Sequence, residues 1–351
     1  MCWCSALILS RAPRWSNSLI WVASVAVFLM VVVVIRLLAH YAPDMKLLAV
    51  PGKHRQHEVP TPMVGGIGIY VGLLLGLFLI GASYLQLMPS LLLLCIAGAL
   101  DDRYSLPSWS RFLVQGLAVY LMIELTGVQL ASLGFLVTSD TEVLVGKWSV
   151  ALTIFASIGV INAVNMSDGL DGLAGSMLCI VLLTLIVLKA PQSELAFVGL
   201  LSIAGFLFWN LRVLRSRAVV FMGDAGSTML GLLIAYLLID FSQTAQAIAP
   251  VTALWILALP LMDAVAVLIV RPLVGRSPFA ADRIHYHHQL ADKGLSVNTV
   301  IAVSLGAQII LIMIGIGLWG LKIAENIQLA LFLGLFSFYF YRLLKYARLE
   351  R

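Results

Sequence analysis

The composition of this 351-residue chain excludes a soluble protein, because 61% of its residues are hydrophobic and only 11% are charged. Soluble globular proteins are roughly half apolar and a quarter charged. The formal net charge of +5 comes from basic residues near the ends of apolar segments. That pattern indicates membrane topology and does not point to nucleic acid as a partner.

Apolar segments recur along the whole chain, and most of the roughly eleven are long enough to cross a hydrocarbon layer of about 30 Å as helices. The sequence therefore predicts an all-α, polytopic membrane protein. We divide it into an amino-terminal extension over 1–16, a single transmembrane catalytic domain over 17–345 and a cytoplasmic tail over 346–351. The predicted spans are 17–39, 63–82, 86–100, 110–125, 149–165, 172–189, 194–211, 225–240, 250–270, 299–320 and 326–343.

The distribution of lysine and arginine predicts the orientation, since these residues collect in cytoplasmic loops. When alternate loops are assigned to opposite sides, all but five of the 22 basic residues fall on one side. We predict that this side is cytoplasmic, with the amino terminus outside and the carboxyl terminus inside. The five exceptions are Arg11, Arg14, Lys147, Lys189 and Lys322.

The first polar motif along the chain is a pair of adjacent aspartates, Asp101 and Asp102, directly after an apolar run that ends at Leu100. Neighbouring carboxylates favour a cation or a shared proton between them. Capping of an interfacial helix explains such a pair equally simply. The motif alone does not decide between catalysis and capping.

The second motif places polar residues at every third position where the span 149–165 ends. Asn162, Asn165, Asp168 and Asp171 would lie along one face of a helix. Glycines next to both aspartates leave room for a metal ion or a bulky anion to approach the backbone. A polar turn between helices is the alternative, but a turn does not require polar residues that reach back into a span.

The third motif is an aspartate between glycines, Asp224, at the predicted start of the span 225–240. Backbone amides at a helix start attract phosphate. A carboxylate at the same place can hold a magnesium ion that bridges phosphate oxygens. Helix capping by Asp224 is the competing interpretation.

The fourth motif lies in the longest cytoplasmic loop, residues 271–298, and contains three histidines in four positions. His285, His287 and His288 follow Arg283 closely, and no cysteine or suitably spaced glutamate completes a zinc site. We favour hydrogen-bond donation to a diphosphate by these side chains. Zinc binding and a solvated loop are the alternatives.

All five aspartates of the first three motifs fall at the inner ends of predicted spans. A charged side chain at the bilayer centre costs about 2.5–3.5 kcal/mol, so five lipid-facing carboxylates would cost on the order of 12–18 kcal/mol. We therefore expect them to line one hydrated, cation-containing cleft, which suits phosphate transfer. An ion-coupled transporter is the alternative class, although transporter sites tend to lie near the bilayer midplane on interrupted helices.

These motifs, in this order, resemble those of the polyprenyl-phosphate N-acetylhexosamine-1-phosphate transferases, which form glycosyltransferase family 4. The resemblance extends from about residue 45 to residue 320, with matching blocks at 62–66, 101–102, 165–172, 221–227 and 285–288. Residues 251–283 look most like one branch of the family. Its members transfer N-acetylglucosamine 1-phosphate from UDP-GlcNAc to undecaprenyl phosphate, which starts O-antigen and enterobacterial common antigen synthesis.

The resemblance implies a role for each motif. It implies that Asp224 binds magnesium, or manganese, together with Asp168 and Asp171, and that Asp101 and Asp102 serve catalysis. The residues that it assigns to substrate binding are Asn165, Asp168, Asp171, Arg283, His285, His287 and His288.

The resemblance also implies the products, GlcNAc-diphospho-undecaprenol and UMP, and a place in the lipid of the bacterial inner membrane with the active site facing the cytoplasm. A homodimer is left open. Another UDP-N-acetylhexosamine and UDP-MurNAc-pentapeptide are alternative donors. The branch that uses UDP-MurNAc-pentapeptide carries three consecutive histidines, whereas Tyr286 interrupts them in this chain. Direct attack by the lipid phosphate and a route through an aspartyl-phosphate both stay open.

Overall fold

The structure, a computed structural model, describes residues 17–49, 59–79, 83–188, 193–212, 215–278 and 283–349. These residues are helical almost throughout, which confirms the all-α class. The helices are α1 (Asn17–Met45), α2 (Gly65–Leu79), α3 (Met88–Tyr104), α4 (Ser108–Thr126), α5 (Ser149–Ser167), α6 (Leu173–Val187), α7 (Ser193–Asn210), α8 (Gly223–Gln243), α9 (Pro250–Ile256), α10 (Ala258–Leu273), α11 (Tyr286–Asp292), α12 (Val297–Gly320) and α13 (Glu325–Leu349). Short 3-10 turns cover Ser83–Leu87 and Gly146–Trp148, and the strands β1 (Leu48–Ala49) and β2 (Thr61–Pro62) pair antiparallel.

The helices are those of a multi-pass membrane protein. Within the described ranges, seven helical segments are long and apolar enough to cross a membrane, and the bent pair α9–α10 would make eight. Helices α2 and α6 are apolar but shorter. Every predicted span coincides with a helix or with the bent pair, while eleven crossings and the orientation of the termini stay predictions. The extension 1–16 lies outside the described residues, and α13 continues past residue 345 to Leu349.

Helix α8 forms the centre of the bundle, with every residue from Ala225 to Ser242 buried. Two glycines allow neighbouring helices to touch its backbone. A Cβ atom on Gly98 of α3 would lie 2.3 Å from the backbone nitrogen of Ala225, and one on Gly231 would lie 2.6 Å from the Cα of Ile161 in α5. These contacts bring the polar ends of α3 and α5 against the start of α8.

We therefore expect Gly98→Ala to lower both the melting temperature and the transferase activity, because the added methyl group forces α3 away from α8. Overpacking a tight site costs about 1–3 kcal/mol. Gly159→Ala is the matched control, since Gly159 also lies in a helix and a Cβ there meets no atom within 4 Å. Thermal unfolding of the purified proteins in detergent checks the difference, and equal melting temperatures would contradict the close contact.

The structure differs from the prediction in the segment 250–270, which is not one continuous span. Helices α9 and α10 meet at an angle of 85°. Pro260 cannot donate a hydrogen bond to the carbonyl of Ile256, and its ring crowds that carbonyl. Gln308 of α12 replaces the missing bond, because its amide donates to the Ile256 carbonyl and accepts from the Leu259 amide at 3.2 Å. Since Gln308 is fully buried, α12 holds the bend in place.

Candidate active site

Four of the five predicted carboxylates come together at one end of the helix bundle, around a cavity of about 360 Å³. The starts and ends of α3, α5, α7 and α8 form its walls, together with the segment before α11. The charged and polar residues that line it are Asp102, Asn165, Asp168, Asp171, Asn210, Arg212, Asp224, Arg283 and His288. The expectation of one shared acidic cleft therefore agrees with the geometry for these four aspartates, whereas Asp101 lies outside the cavity.

Asp224 lies in the first turn of α8, next to Gly223, whose φ of +72° is readily adopted by glycine. Its Oδ1 accepts a hydrogen bond of 2.7 Å from the side-chain amide of Asn165, which also donates to Ser227 Oγ at 2.8 Å. The residue at the N-cap position is Met222. Asp224 is thus oriented by α5 and does not act as the helix cap.

Asp102 also belongs to the start of α8, although it lies on α3. Its carboxylate accepts hydrogen bonds from the backbone amides of Asp224 at 3.1 Å and Ala225 at 3.4 Å. Amides at a helix start stabilise a negative charge. These two hydrogen bonds hold the Asp102 carboxylate at the wall of the main cavity, beside Asp224.

Asp101 faces a different set of partners. Its Oδ1 accepts a hydrogen bond of 2.7 Å from the Leu106 amide, and its Oδ2 lies 3.3 Å from Nη1 of Arg111. It lines a separate pocket of about 40 Å³ that Asn165 and Asp224 also border. Leu106 lies between α3 and α4, and the α4 start has no side-chain cap, so Asp101 does not cap a helix. The two adjacent aspartates serve two neighbouring pockets.

Asp168 and Asp171 have opposite environments. In the part of the chain that the structure describes, no hydrogen bond reaches the Asp168 carboxylate. Burial, and then the charges of Asp224, Asp102 and Asp171, raise the pKa of Asp168 well above its ordinary value. Asp171 instead accepts hydrogen bonds through Oδ2 from Arg212 Nε at 2.6 Å and from the Ala218 amide at 3.1 Å. Of these two aspartates, Asp171 is therefore already paired with a cation, whereas Asp168 is not paired with one among the described residues.

The donor set of the cavity fits a magnesium ion. Magnesium takes oxygen ligands and is usually held by one or two carboxylates, with water and substrate phosphates completing its shell. Asp168 and Asp224 are the two carboxylates best placed for this, because Arg212 occupies one oxygen of Asp171. Among the described residues, no three His, Cys, Asp or Glu side chains form a metal site by themselves, so substrate oxygens would have to complete it.

The three histidines do not all reach the cavity. His288 and Arg283 line it, whereas His285 and His287 are buried below it. The His287 ring lies against Gly169, where a Cβ atom would be 2.5 Å from Nε2. His285 and His287 stack at 5.5 Å with an angle of 16° and do not converge on one point. This arrangement argues against the zinc alternative.

The imidazoles of His287 and His288 are both neutral near pH 7. Burial, with the nearby His288, lowers the pKa of His287 to about 3. Burial, with the nearby Arg283, lowers the pKa of His288 to about 4. In the described structure neither ring nitrogen of His287 has a hydrogen-bond partner. Nδ1 of His288 is likewise without a partner there. Buried polar groups rarely stay unsatisfied, so His288, which lines the cavity, suits a polar ligand through a neutral N–H group.

Comparison with known proteins identifies the group to which this site belongs. Residues 84–242 match the family model described as glycosyl transferase family 4. The chain is also 36% identical over 312 residues to the undecaprenyl-phosphate alpha-N-acetylglucosaminyl 1-phosphate transferase of Yersinia pestis, which covers 86% of this chain and 85% of that protein. The chain belongs to glycosyl transferase family 4.

Other members of family 4 with the same name show a similar likeness. The protein of Escherichia coli O157:H7 is 33% identical over 329 residues, or 90% of this chain and 89% of that protein. The protein of Haemophilus influenzae is 33% identical over 275 residues, or 75% and 76%. The predicted family and the predicted enzyme class, a phosphotransferase, are confirmed, and the transporter alternative is not supported.

Two polar residues that line the cavity, Asn210 and Arg212, were missing from the sequence prediction. The Asn210 side chain accepts from the Gly172 amide at 2.6 Å and donates to the Val220 carbonyl at 2.8 Å, which ties the polar turn after α5 to the segment before α8. Arg212 pairs with Asp171 in the same region. A detectable signal existed, because an asparagine and an arginine follow directly on the apolar run of α7.

Proposed function

We propose that this family 4 enzyme transfers N-acetylglucosamine 1-phosphate from UDP-GlcNAc to undecaprenyl phosphate, giving GlcNAc-diphospho-undecaprenol and UMP. The observation that carries the proposal is a single cavity, at one end of an apolar bundle, where carboxylates lie beside Arg212 and Arg283. The relatives named for this reaction, which match over most of their length, support the same donor and acceptor.

The reaction joins an oxygen of the lipid phosphate to the sugar-bearing phosphorus and breaks the bond from that phosphorus to UMP, which leaves with the electron pair. We assign Asp102 to accept a proton from the lipid phosphate, because helix amides hold its carboxylate at the cavity wall. A route in which an aspartate attacks first would use the same cavity.

We assign magnesium, with manganese as an alternative, to Asp224 and Asp168. When bound, the ion would neutralise negative charge on the diphosphate oxygens, the main requirement of phosphoryl transfer. Asn165 would fix the orientation of Asp224, and Asp171 would hold Arg212 towards the donor. A direct ligand role for Asp171 stays a prediction.

The acceptor is proposed to approach along α4. Arg111 lies in the first turn of this helix, with 43% of its side chain exposed, and pairs with Asp101 in the smaller pocket. Trp109, Leu113 and Leu117 are exposed on the same helix. A cation beside an exposed apolar helix suits a molecule that joins a phosphate to a hydrocarbon chain. Asp224 borders both pockets, so donor and acceptor phosphates could meet beside it.

A donor panel tests the proposed function. Purified protein, undecaprenyl phosphate and magnesium would be combined with UDP-GlcNAc, UDP-GalNAc or UDP-MurNAc-pentapeptide, and the lipid-linked product would be quantified. We expect the highest kcat/KM with UDP-GlcNAc. A product formed only from another donor would overturn the assigned sugar, and the absence of any lipid-linked product would overturn the reaction.

We further propose that the cavity faces the cytoplasm of a bacterial inner membrane, on the strength of the Lys and Arg distribution. In a variant without its four native cysteines, Ser277→Cys should resist a membrane-impermeant thiol reagent added to intact cells and should react after the cells are opened. Ser139→Cys, at an exposed position of the opposite loop, should react in intact cells. The reverse pattern would contradict the orientation.

A further inference from the structure

A buried carboxylate lies beneath the histidine loop and belongs to no cavity wall described above. Asp263 of α10 is 1% exposed. Its Oδ2 lies 2.7 Å from His285 Nδ1, while its Oδ1 accepts hydrogen bonds from the Tyr286 amide at 3.1 Å and from the Tyr339 hydroxyl. Burying an unpaired charge is costly, so these partners are what allow the carboxylate to remain there.

The contacts on both sides of His285 determine which ring nitrogen carries the proton. Nη2 of Arg271 lies 3.5 Å from His285 Nε2. A guanidinium group only donates hydrogen bonds, so Nε2 is the acceptor. Nδ1 therefore carries the proton and donates it to Asp263. Arg271 and Asp263 together fix the rotation of this ring, which lies only 6% exposed.

The orientation of His285 determines the positions of His287 and His288, because the three rings contact one another in sequence. His285 immediately precedes α11, and its ring stacks on His287, which in turn lies 4.3 Å from the His288 ring. His287 rests against Gly169, next to Asp168, and His288 reaches the main cavity. A change at His285 would therefore displace the whole first turn of α11 relative to the carboxylates.

The remaining partner of Asp263 comes from the last helix. Tyr339 belongs to α13, which packs on α10 through Leu343 and Ala347. Phe332, nearer the start of α13, packs with Trp255 and Met262 of α9 and α10. The Tyr339 hydroxyl group is thus a polar connection between α13 and the base of the histidine loop, beside the apolar packing of Leu343 and Ala347 with Ile284.

We infer that Asp263 and Tyr339 are positioning residues that act through His285 to hold the histidine loop in its donor-binding arrangement. This inference rests on the proposed function. Neither residue lines either pocket. Because both act through the histidine loop, they should change donor binding and leave acceptor binding unaffected. A purely structural role would weaken the protein as a whole and would not separate the two substrates.

The test compares Tyr339→Phe with Tyr341→Phe, a tyrosine on the same helix that is 62% exposed. For each purified protein, kcat, the KM of both substrates and the melting temperature would be measured, with UDP affinity obtained by calorimetry. We expect Tyr339→Phe to raise the donor KM and the UDP dissociation constant about three- to tenfold. The acceptor KM and all values for Tyr341→Phe should match the parent.

Asp263→Asn should have a larger effect, since its amide would present a donor to the donating Nδ1 of His285. A loss of roughly ten- to a hundredfold in donor kcat/KM is expected. If that variant does not fold, Tyr339→Phe decides alone. An unchanged donor KM in Tyr339→Phe, or an equal rise in both KM values with a lower melting temperature, would overturn the inference. The transfer activity of the parent protein tests the proposed function separately. UDP affinity is measured without turnover, so it tests the positioning role even if the parent does not catalyse the proposed transfer.

Discussion

Asp224→Asn is expected to reduce kcat for transfer by at least roughly a hundred- to a thousandfold at saturating magnesium. Asparagine keeps the size of the side chain and an oxygen for Asn165, but it removes the charge that we assign to the metal. Asp224 also borders both pockets, so its loss affects the point where the two substrates meet. Initial rates across a range of magnesium concentrations check the result.

Asp240→Asn is the matched control, because Asp240 is a buried acid near the other end of the same helix. We expect this variant to retain nearly the parent's rate. Both variants should elute as monodisperse proteins with similar melting temperatures. Near-parent activity of Asp224→Asn, or an equal loss in Asp240→Asn, would contradict the assigned role.

Asp102→Asn is expected to lower kcat by roughly a hundred- to ten-thousandfold, the usual contribution of a positioned acid or base. Asp101→Asn should cost about tenfold, because Asp101 acts through Arg111, whose side chain is 43% exposed. Adjacent helical residues point about 100° apart, and the structure assigns Asp102 to the main cavity. The two variants would be compared in the same transfer assay, and equal, mild losses would favour capping for both residues.

The sequence predicted the meeting of the aspartates because lipid excludes charge, so acids at several span ends must share a hydrated site. It did not predict their individual partners. The ion pair of Asp171 with Arg212 depends on how the segment after α7 returns to α5. The spacing of residues in the sequence does not show that Arg212, after α7, contacts Asp171, after α5. Asp171 therefore looked as suitable for a metal as Asp168.

The bend between α9 and α10 was not predicted for a similar reason. Pro260 signals a local disturbance, but a proline near a helix start is often tolerated. The 85° angle is stable because Gln308, from a distant helix, satisfies the freed backbone groups. Only the tertiary structure shows that this glutamine and this proline act together.

Asp263 could have been found from the sequence, since a lone acid inside an apolar span is a functional candidate by default. Its partners could not. Tyr339 lies 76 residues further along the chain, among several other aromatic residues of α13. The roles of the three histidines were likewise not separable from the sequence. Their spacing does not show that His287 is buried against Gly169 or that His285 is buried beside Asp263.

The nucleotide that leaves the enzyme tests the central claim most directly. Purified protein, UDP-GlcNAc, undecaprenyl phosphate and magnesium would be incubated together, and nucleotides and lipids would be separated and quantified. Transfer of a sugar 1-phosphate predicts UMP, in a one-to-one ratio to a lipid-linked GlcNAc diphosphate. Release of UDP would show transfer of the sugar alone, and UMP without the diphospholipid would show hydrolysis, and either result would contradict the account.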